Sequence, residues 1–252
     1  MPSFDSDGVT IDYLDEGEGP LVVLVHGFAS NRVVNWVNTG WVKMLTDGGH
    51  RVVALDNRGH GRSEKLYDSA AYQTDRMAED VVRLIDTLDA GKAVLMGYSM
   101  GARISAFAAR AAPDRLAALV LSGLASNLVD GIGGSEAIAA ALEAPSLAAV
   151  QDLNARAFRV FADQTGSDRR ALAACIRAAR QTLTAEQVGE IAVPTLVVAG
   201  EKDTIAGSPD RLAGLIPGAR AVTLPGRDHM TAVGDRGHKQ AVAEFLAAQA
   251  NE

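Results

Sequence analysis

Apolar positions in this chain fall into short, nearly continuous runs separated by longer stretches with helical spacing. The runs are Leu21–Val25, Arg51–Leu55, Ala93–Met96, Leu116–Leu121, Thr195–Ala199 and Ala221–Leu224. Runs of this length and composition are expected of strands buried on both faces of a parallel sheet. Val9–Asp15 alternates instead, as the end of an amino-terminal antiparallel hairpin would. Between the runs, Met77–Leu88, Arg103–Ala111, Pro209–Leu215 and Gln240–Ala248 carry the helical pattern. Strands alternating with helices predict an α/β fold with a doubly wound, mostly parallel sheet.

One segment breaks the alternation. Ala125–Ile191 holds helical stretches near Glu136–Leu142, Gln151–Asp163, Asp168–Arg180 and Ala185–Ile191, and no strand. Roughly 65 residues is too long for an ordinary crossover. Residues 1–124 and 192–252 therefore read as a core, with 125–191 inserted as a helical unit. Gly131-Ile132-Gly133-Gly134 would let that insertion hinge. With 252 residues, 48% of them hydrophobic, one domain carrying an insertion is the expected organisation.

Chemistry enters at Gly97-Tyr98-Ser99-Met100-Gly101, where the third apolar run after the hairpin passes into an alanine-rich helical pattern. A strand that reverses into a helix within about one residue crowds the backbone, so the flanking side chains must be nearly absent. Ser99 is then held out at the carboxyl end of the sheet, with the helix's amides and positive dipole end aimed at it. A serine hydroxyl needs a base, and the base needs an orienting acid.

Five histidines compete for the base. His26 and His60 lie in glycine-containing turns after strands, His50 reads as solvated in a loop, and His238 reads as a surface residue opening the last helix. His229 is in the loop Leu224–Met230 between the last strand and the terminal helix, where a functional side chain is most often carried. Asp203, just past the carboxyl end of Thr195–Ala199, is the candidate acid. Asp228 is a rival, but neighbours in a loop rarely face one another; Glu201 is a second rival, close to the strand end. Ser99, Asp203, His229 is the chain order of the nucleophile-elbow hydrolases.

With these residues in hand, the chain resembles the α/β-hydrolase superfamily over nearly its whole length, most weakly across Ala125–Ile191. His26-Gly27-Phe28-Ala29 resembles the family's H-G-x-x segment, and Asp56–Ser63 resembles its structural D-x-R-G-x-G-x-S turn. The resemblance implies an eight-stranded sheet and a helical cap inserted after the sixth strand. It implies an oxyanion hole formed by the backbone N–H groups of Phe28 and Met100, and no cofactor or metal. Serine at the elbow sets the chain apart from members that use a carboxylate nucleophile on haloalkanes or epoxides. A serine hydrolase of a small carboxylic ester or lactone is the first expectation. Thioester, amide or C–C bond hydrolysis, cofactor-free perhydrolysis, and a ligand receptor with slow or vestigial turnover share the same residues and stay open.

Trp36, Tyr98, Phe158 and Phe161 are candidates to line the substrate pocket, although Trp36 and Trp41 would equally pack a helix onto the sheet. Arg103, on the first turn after Ser99, is expected to pair with Asp56 or the Asp203 loop, or else to face a polar group of the substrate. The net charge of −7 argues against nucleic acid or an anionic membrane as a partner. The lone Cys175 reads as a small buried apolar residue. The polar, acidic Met1–Gly8 lacks the pattern of a signal peptide and no run is long enough to span a membrane. The expectation is a cytoplasmic monomer or homodimer acting on a small acyl substrate.

Overall fold

A computed structural model of the protein describes residues 2–249; residues 1 and 250–252 of the expected core lie outside that range. The strands are β1 (Ser3–Ser6), β2 (Val9–Glu16), β3 (Leu21–Val25), β4 (Arg51–Leu55), β5 (Ala93–Tyr98), β6 (Leu116–Ser122), β7 (Thr195–Gly200) and β8 (Arg220–Leu224). They form one sheet in the order β1-β2-β4-β3-β5-β6-β7-β8. The β1/β2 and β2/β4 pairs are antiparallel, and every other neighbouring pair is parallel.

Helices α1 (Trp41–Asp47), α2 (Thr74–Leu88), α3 (Met100–Ala111) and α4 (Asn127–Asp130) precede α5 (Ser135–Glu143), α6 (Leu153–Gln164), α7 (Arg169–Ala178) and α8 (Ala185–Gly189). Then α9 (Pro209–Ala213) and α10 (Arg236–Gln249) flank β8. The continuous apolar runs follow from coverage on both faces. In β3, Val23 and Val25 enter the core beneath α2 and α3, while Val22 and Leu24 enter the second core beneath α1 and α10. On α2, Met77, Ala78, Val81, Leu84 and Ile85 are buried at helical spacing, each large one contributing roughly 1.5–3 kcal/mol relative to exposure. Among the described residues no helix is long and apolar enough to cross a membrane.

Because β4 and β5 lie on opposite sides of β3, the chain switches direction there. The loops after β3 and β5 therefore diverge and leave a crevice at the carboxyl ends of the strands, where ligands bind in open α/β sheets. Ser99 follows β5 directly, and Gly27 and Phe28 follow β3.

Three expectations need correction in the surrounding structure. Helix α3 begins at Met100, three residues before Arg103, because the elbow leaves a single residue between strand and helix. His238 is 1% exposed, its ring 4.7 Å from that of Trp41 and its Nε2 2.8 Å from the Ser122 hydroxyl. It shares the buried face of α10 with Val242, Phe245 and Leu246, so the helical period outweighs its charged neighbours. His50 is half-buried, with Nδ1 sealed from solvent.

Candidate active site

The elbow is built by two close approaches. A Cβ at Gly97 would lie 2.2 Å from the Gly101 carbonyl, and one at Gly101 would lie 2.0 Å from the Val25 carbonyl. Neither position tolerates a side chain. Between them Ser99 takes φ 56°, ψ −114°, a conformation that costs a residue with a Cβ about 1–3 kcal/mol. Its amide is anchored to the Ser122 carbonyl at 2.8 Å, so β6 helps to hold the strained residue.

Three of the sequence-chosen side chains come together. His229 Nε2 is 3.0 Å from Ser99 Oγ, and His229 Nδ1 is 2.8 Å from Asp203 Oδ2. The carboxylate can only accept, so Nδ1 carries the proton and Nε2 is left to accept from the serine hydroxyl. The other Asp203 oxygen receives the amides of Ile205 and Ala206 at 2.9 and 3.0 Å. The Tyr98 hydroxyl donates to the His229 carbonyl at 2.5 Å, tying the histidine loop to the end of β5. Burial pushes the Tyr98 phenol well above its ordinary pKa, so it acts as a neutral donor. The rival acids are occupied elsewhere. Asp228 caps its own turn through Met230 and Thr231, and Glu201 receives the Gly226 amide.

The Phe28 amide donates to no group of the described residues, and the Met100 amide opens α3, where a helix supplies no acceptor. The loop carrying Phe28 is fixed on several sides. The Gly27 amide donates to Asn35 Oδ1 at 3.1 Å, and Thr165 Oγ1 donates to the Ala29 carbonyl at 2.9 Å. His26 Nδ1 donates to the Gly27 carbonyl at 2.8 Å, while its Nε2 accepts the Asn57 amide at 3.0 Å. Asp56 in turn accepts the Arg32 and Arg62 amides and pairs with the Arg32 guanidinium. The Asp56–Ser63 turn thus acts as scaffold for the loop before it.

A cavity of about 650 Å³ opens over Ser99 and His229, lined by Tyr98, Phe158, Phe161, Asn35 and Ile205 among others. Its size is that of small-molecule sites. Much of its lining comes from one face of α6. Trp36 does not reach it. That residue is 0% exposed and stacks edge-on against Trp41 with ring centroids 6.2 Å apart, because its turn directs the indole under the sheet. The pocket expectation for Trp36 is therefore corrected to a packing role. Arg103 also departs from expectation, since among the described residues its guanidinium donates to the Gln181 and Asn127 carbonyls and to no carboxylate.

Sequence reasoning passed over Asn35. It lies in a single π-helical turn, Val33–Val37, whose wider pitch aims the side chain back at the Gly27 amide. Its Nδ2 is buried beside the cavity without a partner among the described residues. One polar residue inside Val33-Val34-Asn35-Trp36-Val37 was the available signal.

Comparison with known proteins agrees with the fold. A family model described as the alpha/beta hydrolase fold matches residues 20–138. A solved hydrolase from Pseudomonas aeruginosa PA01 superposes with TM-score 0.79 at 29% identity, covering 97% of each chain. The chain belongs to the α/β-hydrolase superfamily. Within it, 2-(acetamidomethylene)succinate hydrolase of Mesorhizobium japonicum is 29% identical over 249 residues, 89% of this chain and 87% of that one. Epoxide hydrolase B of Mycobacterium tuberculosis is 39% identical over 103 residues, 41% of this chain but 28% of the relative's length. The match to epoxide hydrolase B is therefore to part of that protein alone. Relatives with such different reactions support a hydrolase and leave the bond it breaks to be argued from the site.

Proposed function

We propose that the protein is a serine hydrolase that cleaves a small carboxylic ester or lactone through an acyl-enzyme on Ser99. The observation that carries this reading is the unbroken chain from Asp203 through His229 to Ser99, with distances of 2.8 and 3.0 Å. Ser99 Oγ attacks the carbonyl carbon as His229 Nε2 takes its proton, and Asp203 stabilises the imidazolium. The amides of Phe28 and Met100 receive the developing oxyanion, each worth roughly 3–4 kcal/mol in the transition state. The tetrahedral species collapses when His229 gives the proton to the departing alkoxide. Water then attacks the ester on Ser99 by the same route, releasing the acid and restoring the hydroxyl.

Every atom in this cycle is supplied by substrate, water and these side chains. Residues 125–191 act as a cap over the site, with α6 forming the roof that keeps bulk water from the acyl-enzyme. The lining mixes aromatic and aliphatic side chains with a few polar groups, which suits a small acyl substrate in a cytoplasmic enzyme.

The test uses p-nitrophenyl butyrate. The wild type should release many equivalents of p-nitrophenolate per protein, whereas one equivalent followed by a stall would replace the enzyme reading with that of a receptor. Asp203→Asn should slow turnover by about 10²–10⁴ by favouring the wrong histidine tautomer. Asp228→Asn should cost less than about tenfold. If Asp228→Asn is the more damaging change, the acid is misassigned.

A further inference from the structure

A second, smaller cavity of about 40 Å³ adjoins the first at Ser99 and Phe28, and is lined by Met100, Arg103, Ile132, Ile176 and Arg180 among others. Two guanidinium groups at the wall of a small, largely apolar recess are unusual unless something balances them. Arg103 is 2% exposed. Its partners are the Gln181 carbonyl at 2.5 Å and the Asn127 carbonyl at 3.4 Å. A guanidinium has five N–H donors, so two neutral acceptors leave most of its capacity unused. Among the described residues Arg180, half-buried, donates to the Ile132 and Gly133 carbonyls alone.

The other deeply buried arginines are treated differently. Arg32 pairs with Asp12 and Asp56, Arg58 with Asp80, and Arg159 with Asp163. Arg103 has no carboxylate partner among the described residues. Removal from water, and then the nearby Arg180 charge, push its pKa down to about 10. Two like charges at one recess, neither paired with a carboxylate among the described residues, favour an anion between them.

Extending the hydrolase reading above, we propose that Arg103 and Arg180 bind a carboxylate carried by the acyl part of the substrate. The arrangement of the two cavities decides which part. His229, which protonates the leaving group, lines the large cavity and not the small one. The alcohol therefore departs into the large cavity, and the acyl chain lies in the small one beside Met100 and Phe28. A planar carboxylate matches the guanidinium fork in a way an uncharged group of the same shape does not.

The test compares monomethyl succinate with methyl 4-methylpentanoate, in which an isopropyl group replaces the carboxylate. The acid released by hydrolysis is followed in a pH-stat. The wild type should prefer the anionic ester by at least about 30-fold in kcat/KM, the range expected for hydrogen bonds to a buried charge. Arg180→Gln and Arg103→Gln should each lower that ratio about tenfold or more, chiefly through KM. Arg180→Gln carries the test if the change on the elbow helix prevents folding. In parallel, millimolar succinate should raise the thermal midpoint of Ser99→Ala, and adding Arg180→Gln should abolish the rise. Equal turnover of the two esters, or a ratio unaffected by Arg180→Gln, overturns the carboxylate site and leaves the hydrolase standing. If neither methyl ester is turned over, p-nitrophenyl butyrate decides the hydrolase reading, and the succinate shift alone decides the site: its presence supports it and its absence overturns it.

Discussion

Ser99→Ala is expected to lower kcat/KM for ester hydrolysis by at least about 10⁴-fold, because a residue that acts as a unit with its base cannot be replaced by the remaining members. The same change should leave the thermal midpoint within a few degrees. Alanine keeps the Cβ and therefore the strain of φ 56°, ψ −114°, and the lost hydroxyl is only half-buried. Ser99→Gly separates strain from chemistry. It should be equally inactive but more stable, by about 1 kcal/mol once the greater freedom of glycine in the unfolded chain is subtracted. That corresponds to a rise of about 2–4 °C in Tm for a chain of this size. An alanine variant that keeps a tenth of the wild-type rate would remove Ser99 from the mechanism. A glycine variant that melts well below wild type would remove the strain argument.

The second large effect concerns acid. His26, His60 and His238 are fully enclosed, and burial lowers their pKa values from 6.5 to about 4, 3 and 4. The hydrogen bonds agree with neutral rings. His26 accepts an amide at Nε2, and His238 donates from Nδ1 to the Ala232 carbonyl at 3.0 Å. Between pH 6.5 and about 4 the unfolded chain binds protons that these three sites refuse. The unfolded state therefore holds more protons, and stability rises with pH across that window. It is fully present above about pH 6.5 and is lost as the pH falls toward 4.

By the conversion of 1.36 kcal/mol per pKa unit, His26 and His238 each account for about 3 kcal/mol and His60 for about 5 kcal/mol. Urea midpoints should be flat near pH 7 and fall steeply from pH 6.5 to 4.5, and His238→Gln should flatten that slope by about one proton. Asp228, held below the usual carboxylate range by the Thr231 hydroxyl and amide, titrates at lower pH and does not confuse the result. A midpoint independent of pH between 7 and 4.5 would show that the rings are hydrated or already charged in the fold.

The sequence carried the sheet and the elbow well because both are consequences of local crowding. The runs in β3, β4 and β5 are apolar at every inner position, and Gly97 and Gly101 are the residues that the backbone contacts demand. Ser99, Asp203 and His229 were legible because each follows a strand end or fills the loop before the last helix. Partners across the fold were not. Arg103 has carboxylates in plausible reach along the chain, yet the structure turns it toward the segment around Gln181. Trp36 was ambiguous because a π-helical turn rotates side chains away from the positions an α-helical count assigns. His238 was misread for a different reason: its neighbours in sequence are charged, but its neighbours in space are Trp41, Tyr98 and Ser122.

The central claim is that substrate becomes covalently attached to Ser99. Its most direct test is to mix the protein with excess p-nitrophenyl butyrate, quench in acid within milliseconds to seconds, and measure intact and peptide masses. The account predicts a butyryl adduct on the peptide containing Ser99, present during turnover and gone once the ester is consumed. Steady p-nitrophenolate release with unmodified Ser99, or with the acyl group on another residue, would contradict it.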